Sequence, residues 1–412
     1  MSKIKRFVKS SPILFRFLKQ GLLYCRYIMS IAEKDKYCKL PIFADLECFE
    51  IKEKSYHCYF GYYDKSPINR DGEYVAFLKI KNGANPGDPA DICIYNITNE
   101  KIKILGQTRT WNWQQGCMLQ WVNQDTLAFN YFNSEEGGYM TKIMNISDTS
   151  NSKSIRRSAY CFNHDFSKYL SINFHRLDLY AKGYGYPFNV ESMNYSSDGI
   201  WEVDIKKNES KLILDLETII KYKEKEYLDC QHYVNHVAYT PDENSIIFIH
   251  RWQLNGGEFK SRLLRFDLSS KKLDALLDNG HVSHYCWKDK ENLLIYATDS
   301  KSIKGYIILN ILNKRTELVE GLPDEDGHPS FSYDNKMILT DTYPNKKRVK
   351  HIFIYDVHEK QLKIVDKLYS PLKYFNDERC DLHPRWSMDN KYICVDTTSS
   401  GYRGLKLYKL TK

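Results

Sequence analysis

"DEDGHPSFSYDNKMILTDTY" spans Asp324 to Tyr343, and about fifty residues later "RCDLHPRWSMDNKYICVDTT" spans Arg379 to Thr398. Both hold His-Pro, then an aromatic residue, a Ser, a turn signal of Asp-Asn type, and an apolar strand ending in Asp. Weaker forms recur upstream. "HVAYTPDENSIIFIHRW" starts at His236, "HYCWKDKENLLIYATD" at His284, "AYCFNHDFSKYLSINFHR" at Ala159, "MLQWVNQDTLAFNYFN" at Met118 and "KSPINRDGEYVAFLKI" at Lys65. Each is a short strand, a turn of Asp, Asn, Gly or Lys, and a second apolar strand. Most are followed by a third strand with its own turn, as in "RLLRFDLSSKKLDALL" and "HIFIYDVHEKQLKIV".

Seven copies at a spacing of about 42 to 55 residues, with one gap near 76, predict an all-β fold, a seven-bladed β-propeller. One blade cannot bury both of its faces, but a ring of blades can. The last copy lacks the residues for four strands, because the chain stops at Lys412. "ECFEIKEK", residues 47–54, can supply the missing outer strand and close the ring. A pair of β-sandwiches would not produce seven copies of one phrase.

The 412 residues include 32 Tyr, 19 Phe and 7 Trp. This richness in strand-favouring residues agrees with the β reading and excludes a disordered chain. The eleven cysteines are scattered, without CxxC or framework spacing, and read as buried free thiols in a reducing compartment. The net charge of +8 is concentrated at one end. Residues 1–30 hold Lys3, Lys5, Arg6, Lys9, Arg16, Lys19 and Arg26 and no acid, so the other 382 residues are near neutral. Nucleic-acid binding over the body is therefore not expected. Interleaved apolar residues make the same segment a basic amphipathic helix. It either lies on an anionic membrane surface or packs on the body with its Lys and Arg in water. No apolar run is long enough to cross a bilayer. The expected division is a basic N-terminal helical extension, residues 1–40, and a propeller, residues 41–412, located in the cytoplasm with peripheral contact at the inner membrane face.

In a propeller the first strand of each blade lines the central channel. Four successive copies place a histidine at the start of that strand: His236, His284, His328 and His383. An aromatic follows three residues later in each (Tyr239, Trp287, Phe331, Trp386), read as blade packing. Identical phase in adjacent blades brings the four imidazoles toward one axis and points to a shared site. Asp381 and Glu378 precede His383 closely, and Arg262 opens the third strand of the His236 blade. Arg251 and Trp252 follow its second strand, while the long insert contributes His175, Arg176, Tyr184 and Tyr186. "YFGYYDKSP" adds Tyr62, Tyr63, Asp64 and Lys65. Aromatic faces with Arg, Asp and His suit an acidic oligosaccharide or polysaccharide, because sugars stack on rings and carboxylates pair with guanidinium forks. There is no Walker loop, no GxGxxG after a strand, no HExxH and no GxSxG. Dispersed His and carboxylates on one axis could hold a divalent metal such as Mn²⁺.

The phrases "VNHVAYTPD", "GGEFKSRLLRFDL", "VSHYCWKD", "DGHPSFSYDNKMILTDTYP" and "DLHPRWSMDNKYICVDTT" resemble the oligogalacturonate lyase family of seven-bladed propellers, most clearly over residues 230–410. Proteins of this type also resemble those encoded beside bacterial surface-polysaccharide genes. The resemblance implies a Mn²⁺-type ion at the propeller mouth, bound by three His and a Gln, with a His base and an assisting Arg. Carried over by position, His328 and His383 match metal ligands, His284 the base and Arg262 the catalytic Arg. Asp381 falls where the family has the other His of its HxHP phrase, and Glu378 where it has Gln. His236, Arg251, Trp252, His175, Arg176 and Tyr63 are the expected substrate contacts. The implied reaction is β-elimination of a uronate-containing oligosaccharide. Two other readings stay open: a propeller of polysaccharide assembly that binds or transfers sugars without elimination, and a non-enzymatic membrane-associated scaffold.

Overall fold

The computed structural model describes residues 12–44, 46–223, 230–253, 259–299 and 301–410. Twenty-eight strands among them form seven four-stranded antiparallel sheets. The blades run, in chain order, over residues 56–108, 120–156, 161–215, 231–277, 282–318, 330–369 and 385–409. The seventh has only three strands of its own. Its outer edge is Glu47–Ile51, which pairs antiparallel with Gly404–Lys409, from Glu47 against Lys409 to Ile51 against Leu405. The ring is therefore closed by joining the two ends of the body, as the sequence predicts. The wide gap between the third and fourth copies is filled by two short helices, Phe174–Tyr180 and Leu216–Lys221.

The burial of each strand follows its place in the ring. Second and third strands lie between neighbouring blades, so both of their faces are covered and they read as near-continuous apolar runs. Ser245–Gln253, "SIIFIHRWQ", is buried at all but two positions. Outer strands such as Ser152–Arg156 are largely exposed. The repeated Ser-x-Asp-Asn-Lys is the turn between the first and second strands. Ser332 and Ser387 donate through Oγ to Asp334 and Asp389 at 2.7 and 2.6 Å. Asn335 and Asn390 both adopt φ of +58°, a left-handed conformation that Asn tolerates and that closes a tight hairpin. The turn chemistry is why one phrase recurs. The aromatic three residues after the histidine does join blades in two cases. Tyr239 donates to Glu202 of the third blade, and Trp386 Nε1 to Ser330 O of the sixth.

One expectation about the strands needs correction. His236 and His284 do not begin their strands. Each lies inside a longer first strand, Gln231–Tyr239 or Val282–Trp287, where the register slips between Asn235 and Ala238 and between Val282 and Tyr285. His236 has φ of +50° and His383 of +45°. A bulge re-aims its side chain and bends the strand. Because of these bulges the imidazoles turn toward the channel rather than into the blade.

The basic extension is helical over Pro12–Ser30; residues 1–11 fall outside the described residues. Beyond the helix the chain runs along the fifth and sixth blades. Lys36 bonds Asp324 and Glu325, Asp35 bonds His351 and Lys367, and Phe43 N donates to Ile364 O. No helix among the described residues is long and apolar enough to cross a membrane.

Candidate active site

The four histidines converge. Ring centroids are 5.3 Å apart between His236 and His284, 4.3 Å between His284 and His328, and 4.4 Å between His328 and His383. All four are buried, with 1 to 6% of their surface exposed. They form an arc contributed by blades four to seven. The facing wall comes from the first three blades. Tyr62 and Tyr63 push into the channel from the first blade, Tyr62 at 5.2 Å from His383 and Tyr63 at 5.4 Å from His328. Behind them Gln115 donates to the Tyr160 hydroxyl, which in turn accepts from the backbone N–H of His236.

Each histidine has its own partner, and the partners separate their chemistry. Tyr62 Oη lies 2.8 Å from His236 Nε2. Burial raises the Tyr62 hydroxyl well above its ordinary pKa, so the phenol keeps its proton and donates it. Burial, then the nearby His284 and Arg251 charges, lowers His236 well below its ordinary value. His236 is thus a neutral acceptor, occupied at Nε2. His284 presents Nδ1 to Asp326 Oδ1 at 3.2 Å. Its pKa is lowered, because burial outweighs the Asp326 carboxylate. Asp326, pushed up by burial, is pulled down to about 2 by His284 and Ser283. His328 presents Nδ1 to Asp341 at 2.8 Å; here the carboxylate outweighs burial and the pKa is raised. His383 is lowered well below its ordinary value by burial, then by His328 and Arg385.

His328, Asp381 and His383 offer ligand atoms that all lie within 4.8 Å of one another. The Nε2 atoms of His328 and His383 are buried and have no hydrogen-bond partner among the described residues. Two orphaned imidazole nitrogens beside a carboxylate fit a divalent cation with mixed nitrogen and oxygen ligands. Asp341 on the far nitrogen of His328 is the carboxylate–histidine arrangement that orients such a ligand. Asp381 is buried, and Arg379 Nε contacts both of its oxygens, at 2.9 and 3.2 Å. Burial would raise this carboxyl, but the Arg379 guanidinium lowers it.

Several residues expected at the site are elsewhere. Glu378 does not join the metal group; its carboxylate bonds Arg16 of the N-terminal helix at 2.9 Å. Arg262 is fully buried on the third strand of the fourth blade. Its guanidinium donates to His250 Nδ1 and to the carbonyls of Tyr222 and Ile219, a set that includes none of the four histidines. Trp252 is buried with its ring against His250. Arg176 forms a buried ion pair with Asp198 at 2.5 Å and also donates to Met193 O. His175 is buried on the same short helix. Arg251 is different. It is half-buried, donates to Asn235 Oδ1 at 3.1 Å, and its charge is felt by His236 and His284. The register explains the split: Arg251 and Trp252 are successive on one strand and point to opposite faces.

Tyr184, expected at the mouth, and Arg379, Tyr343, Asp326, Asp341 and Lys350, which were not, line the rim and back the site. Arg379 NH2 donates to Tyr184 Oη at 2.7 Å and its guanidinium stands 5.8 Å from the rings of Tyr184 and Tyr343. Asp326 and Asp341 back two histidines. Lys350, fully buried, donates to Cys380 O at 2.7 Å, and its charge is felt by Asp381. The Asp that ends the repeated phrase was visible in the sequence as Asp341; Arg379 and Asp326 carried no signal beyond nearness to a histidine. A cavity of about 480 Å³ bordered by Tyr63 and His236 is lined by Tyr239, Trp287, Phe331 and Trp386, the four aromatics of the repeat.

This geometry can be set beside solved structures. An oligogalacturonate lyase in complex with manganese superposes with a TM-score of 0.66 at 14% identity, over 90% of this chain and 95% of that one. An oligogalacturonate lyase from Vibrio parahaemolyticus gives 0.64 at 12% identity, over 90% and 96%. The fold is that of the oligogalacturonate lyases. The β-propeller domain of the Trilobed protease from Pyrococcus furiosus, described as having an open velcro topology, is more distant, at 0.52, 13% identity, and 86% and 98% coverage. No protein-family model matches the sequence, and no curated protein matches it. At this identity the likeness to the oligogalacturonate lyases is one of fold.

Proposed function

We propose that the His arc is the active site of a lyase that eliminates across C4 and C5 of a uronate within an acidic oligosaccharide. The observation that carries this reading is the pairing of a His–Asp dyad, His284 with Asp326, beside the buried group His328, Asp381 and His383. Removal of the C5 proton needs a base that is neutral at working pH. The lowered pKa of His284 meets that need, and Asp326 on Nδ1 leaves Nε2 as the accepting nitrogen. The C5–H electron pair, held first on the uronate carboxylate as the proton goes to His284, forms the C4–C5 double bond as the oxygen at C4 departs with the C4–O pair and is protonated to an alcohol. Arg251 and Arg379 are the cations placed to hold a sugar carboxylate there, in the part once expected of Arg262. A divalent cation such as Mn²⁺, held by His328, His383 and Asp381, would supply the remaining charge that makes the C5 proton acidic. Tyr184 and Tyr343 offer faces for a sugar ring.

The Arg379–Asp381 ion pair favours a second reading. It ties up the carboxylate that replaces a histidine of the related family, and so supports a sugar-binding or sugar-transferring propeller of surface-polysaccharide assembly without elimination. On the sequence grounds given above, both readings place the protein in the cytoplasm. Ultraviolet absorbance of the unsaturated uronide, in a screen of acidic oligosaccharides with and without EDTA, separates the two. His284→Ala is expected to lower turnover by about 10² to 10⁴-fold while leaving Mn²⁺ binding intact. His328→Ala and His383→Ala are expected to lose both together. Sugar binding with no unsaturated product from any uronate oligomer would sink the lyase reading and leave the second.

A further inference from the structure

The N-terminal helix presents the wrong face to water for a helix that only packs on the ring. Phe17, Leu18, Leu22, Tyr24, Ile28 and Met29 are 48 to 72% exposed. At about 100° per residue these six, with Gly21 and Cys25 between them, occupy roughly half of the helix circumference. No charged residue lies within that half. The side turned to the ring holds Gln20, Leu23, Tyr27 and Ser30, which are partly or fully covered. Lys19 and Arg26 lie together along one edge of the apolar half, and Lys3, Lys5, Arg6 and Lys9 precede it in the sequence.

We infer that this helix docks the protein on an anionic lipid surface, lying in the plane of the interface with its apolar half in the acyl boundary. Charge selects the occupant. Seven cations without one acid in residues 1–30 are drawn to anionic headgroups. In a second copy of this chain the same seven cations would face their like. A helix of 19 residues that is not apolar enough to cross, with one apolar side bordered by a basic edge, has the form of an interfacial helix. Its attachment also orients the ring. Arg16 bonds Glu378 and stands over Phe375, and Lys19 bonds Asn376. That segment leads directly into Arg379 and Asp381, so docking holds the histidine end of the channel toward the bilayer. This inference stands whether or not the site is a lyase.

The experiment is co-sedimentation of the full chain with vesicles of phosphatidylcholine alone and of phosphatidylcholine mixed with phosphatidylglycerol, in low and high salt. The wild type is expected to pellet with the anionic vesicles and to be released by salt. Leu22→Glu combined with Ile28→Glu changes only exposed positions, so thermal unfolding of the ring is expected to stay the same while partitioning falls about tenfold or more. Lys19→Gln with Arg26→Gln is expected to flatten the salt dependence. Equal binding to both vesicle types, or unchanged binding of the Glu variant, overturns the inference. So does light scattering that shows a dimer broken by the Glu variant with no vesicle binding, because the face would then be covered by a second copy.

Discussion

The two copies of the phrase in the sixth and seventh blades end in the same residue and use it differently. Asp341 accepts from the backbone N–H of His328 and faces its Nδ1, both at 2.8 Å. Asp396, at the same place in the next copy, leaves His383 alone. It pairs with Arg385 at 2.7 Å and accepts from the backbone N–H groups of Phe60 and Gly61 at 3.1 Å each. Arg385 completes the link by donating to Tyr62 O and Gly61 O. The turns are the same, so the difference comes from what stands beside each blade. The sixth blade is followed by another copy of the phrase. The seventh meets the first blade, where the chain enters the ring and bare backbone amides need acceptors. The residue before each histidine differs accordingly. A Cβ on Gly327 would lie 2.1 Å from Asp341 O, so only glycine lets His328 close on its aspartate. Leu382 in the other copy instead accepts from Asp396 N at 2.8 Å. One aspartate orients a site residue and the other fastens the ring.

That contrast is most easily broken at Asp396. Asp396→Ala leaves Arg385 buried and unpaired and strands two backbone amides. It is expected to cost about 3–5 kcal/mol of stability, measured by denaturant unfolding, with Mn²⁺ affinity per folded molecule nearly unchanged. Asp341→Asn is the converse. It is expected to weaken Mn²⁺ binding by about 10 to 100-fold, as loss of a ligand's orienting partner does, with a smaller effect on unfolding; calorimetric titration checks it. If the two substitutions gave the same profile, the division between site and seam would be wrong.

The seam has a pH signature as well. His57 on the first blade accepts from Arg403 N of the seventh at 3.3 Å. Burial, then the Arg403 and Lys373 charges, lowers its pKa from 6.5 to about 4. The unfolded chain therefore binds a proton that the folded ring does not between these values, and stability rises with pH across that window. The contribution is fully present above about pH 6.5 and is lost as pH falls toward 4. Unfolding followed at several pH values is expected to show this slope, and His57→Gln to flatten it. A slope unchanged in the variant would assign the proton to another group.

The sequence by itself determined the blade count, the turns, the closing strand and the convergence of four histidines. All of these follow from patterns local to one blade and repeated in phase, and a ring converts phase into proximity. What only the tertiary structure decided is which polar residues look into the channel. Arg262, Arg176 and Trp252 lie on the right blades but point into the seams between them, where buried acceptors such as His250 and Asp198 await them. Glu378 is drawn to the N-terminal helix, more than three hundred residues away in the chain. Asp326, Asp341 and Arg379 acquire their roles from the histidine or carboxylate that the neighbouring strand places opposite them. A strand alternates its side chains between two faces, and a single bulge reverses that alternation. A repeat in sequence therefore fixes where a residue's backbone lies in the ring, while the direction of its side chain is settled only when the adjacent blade supplies a partner.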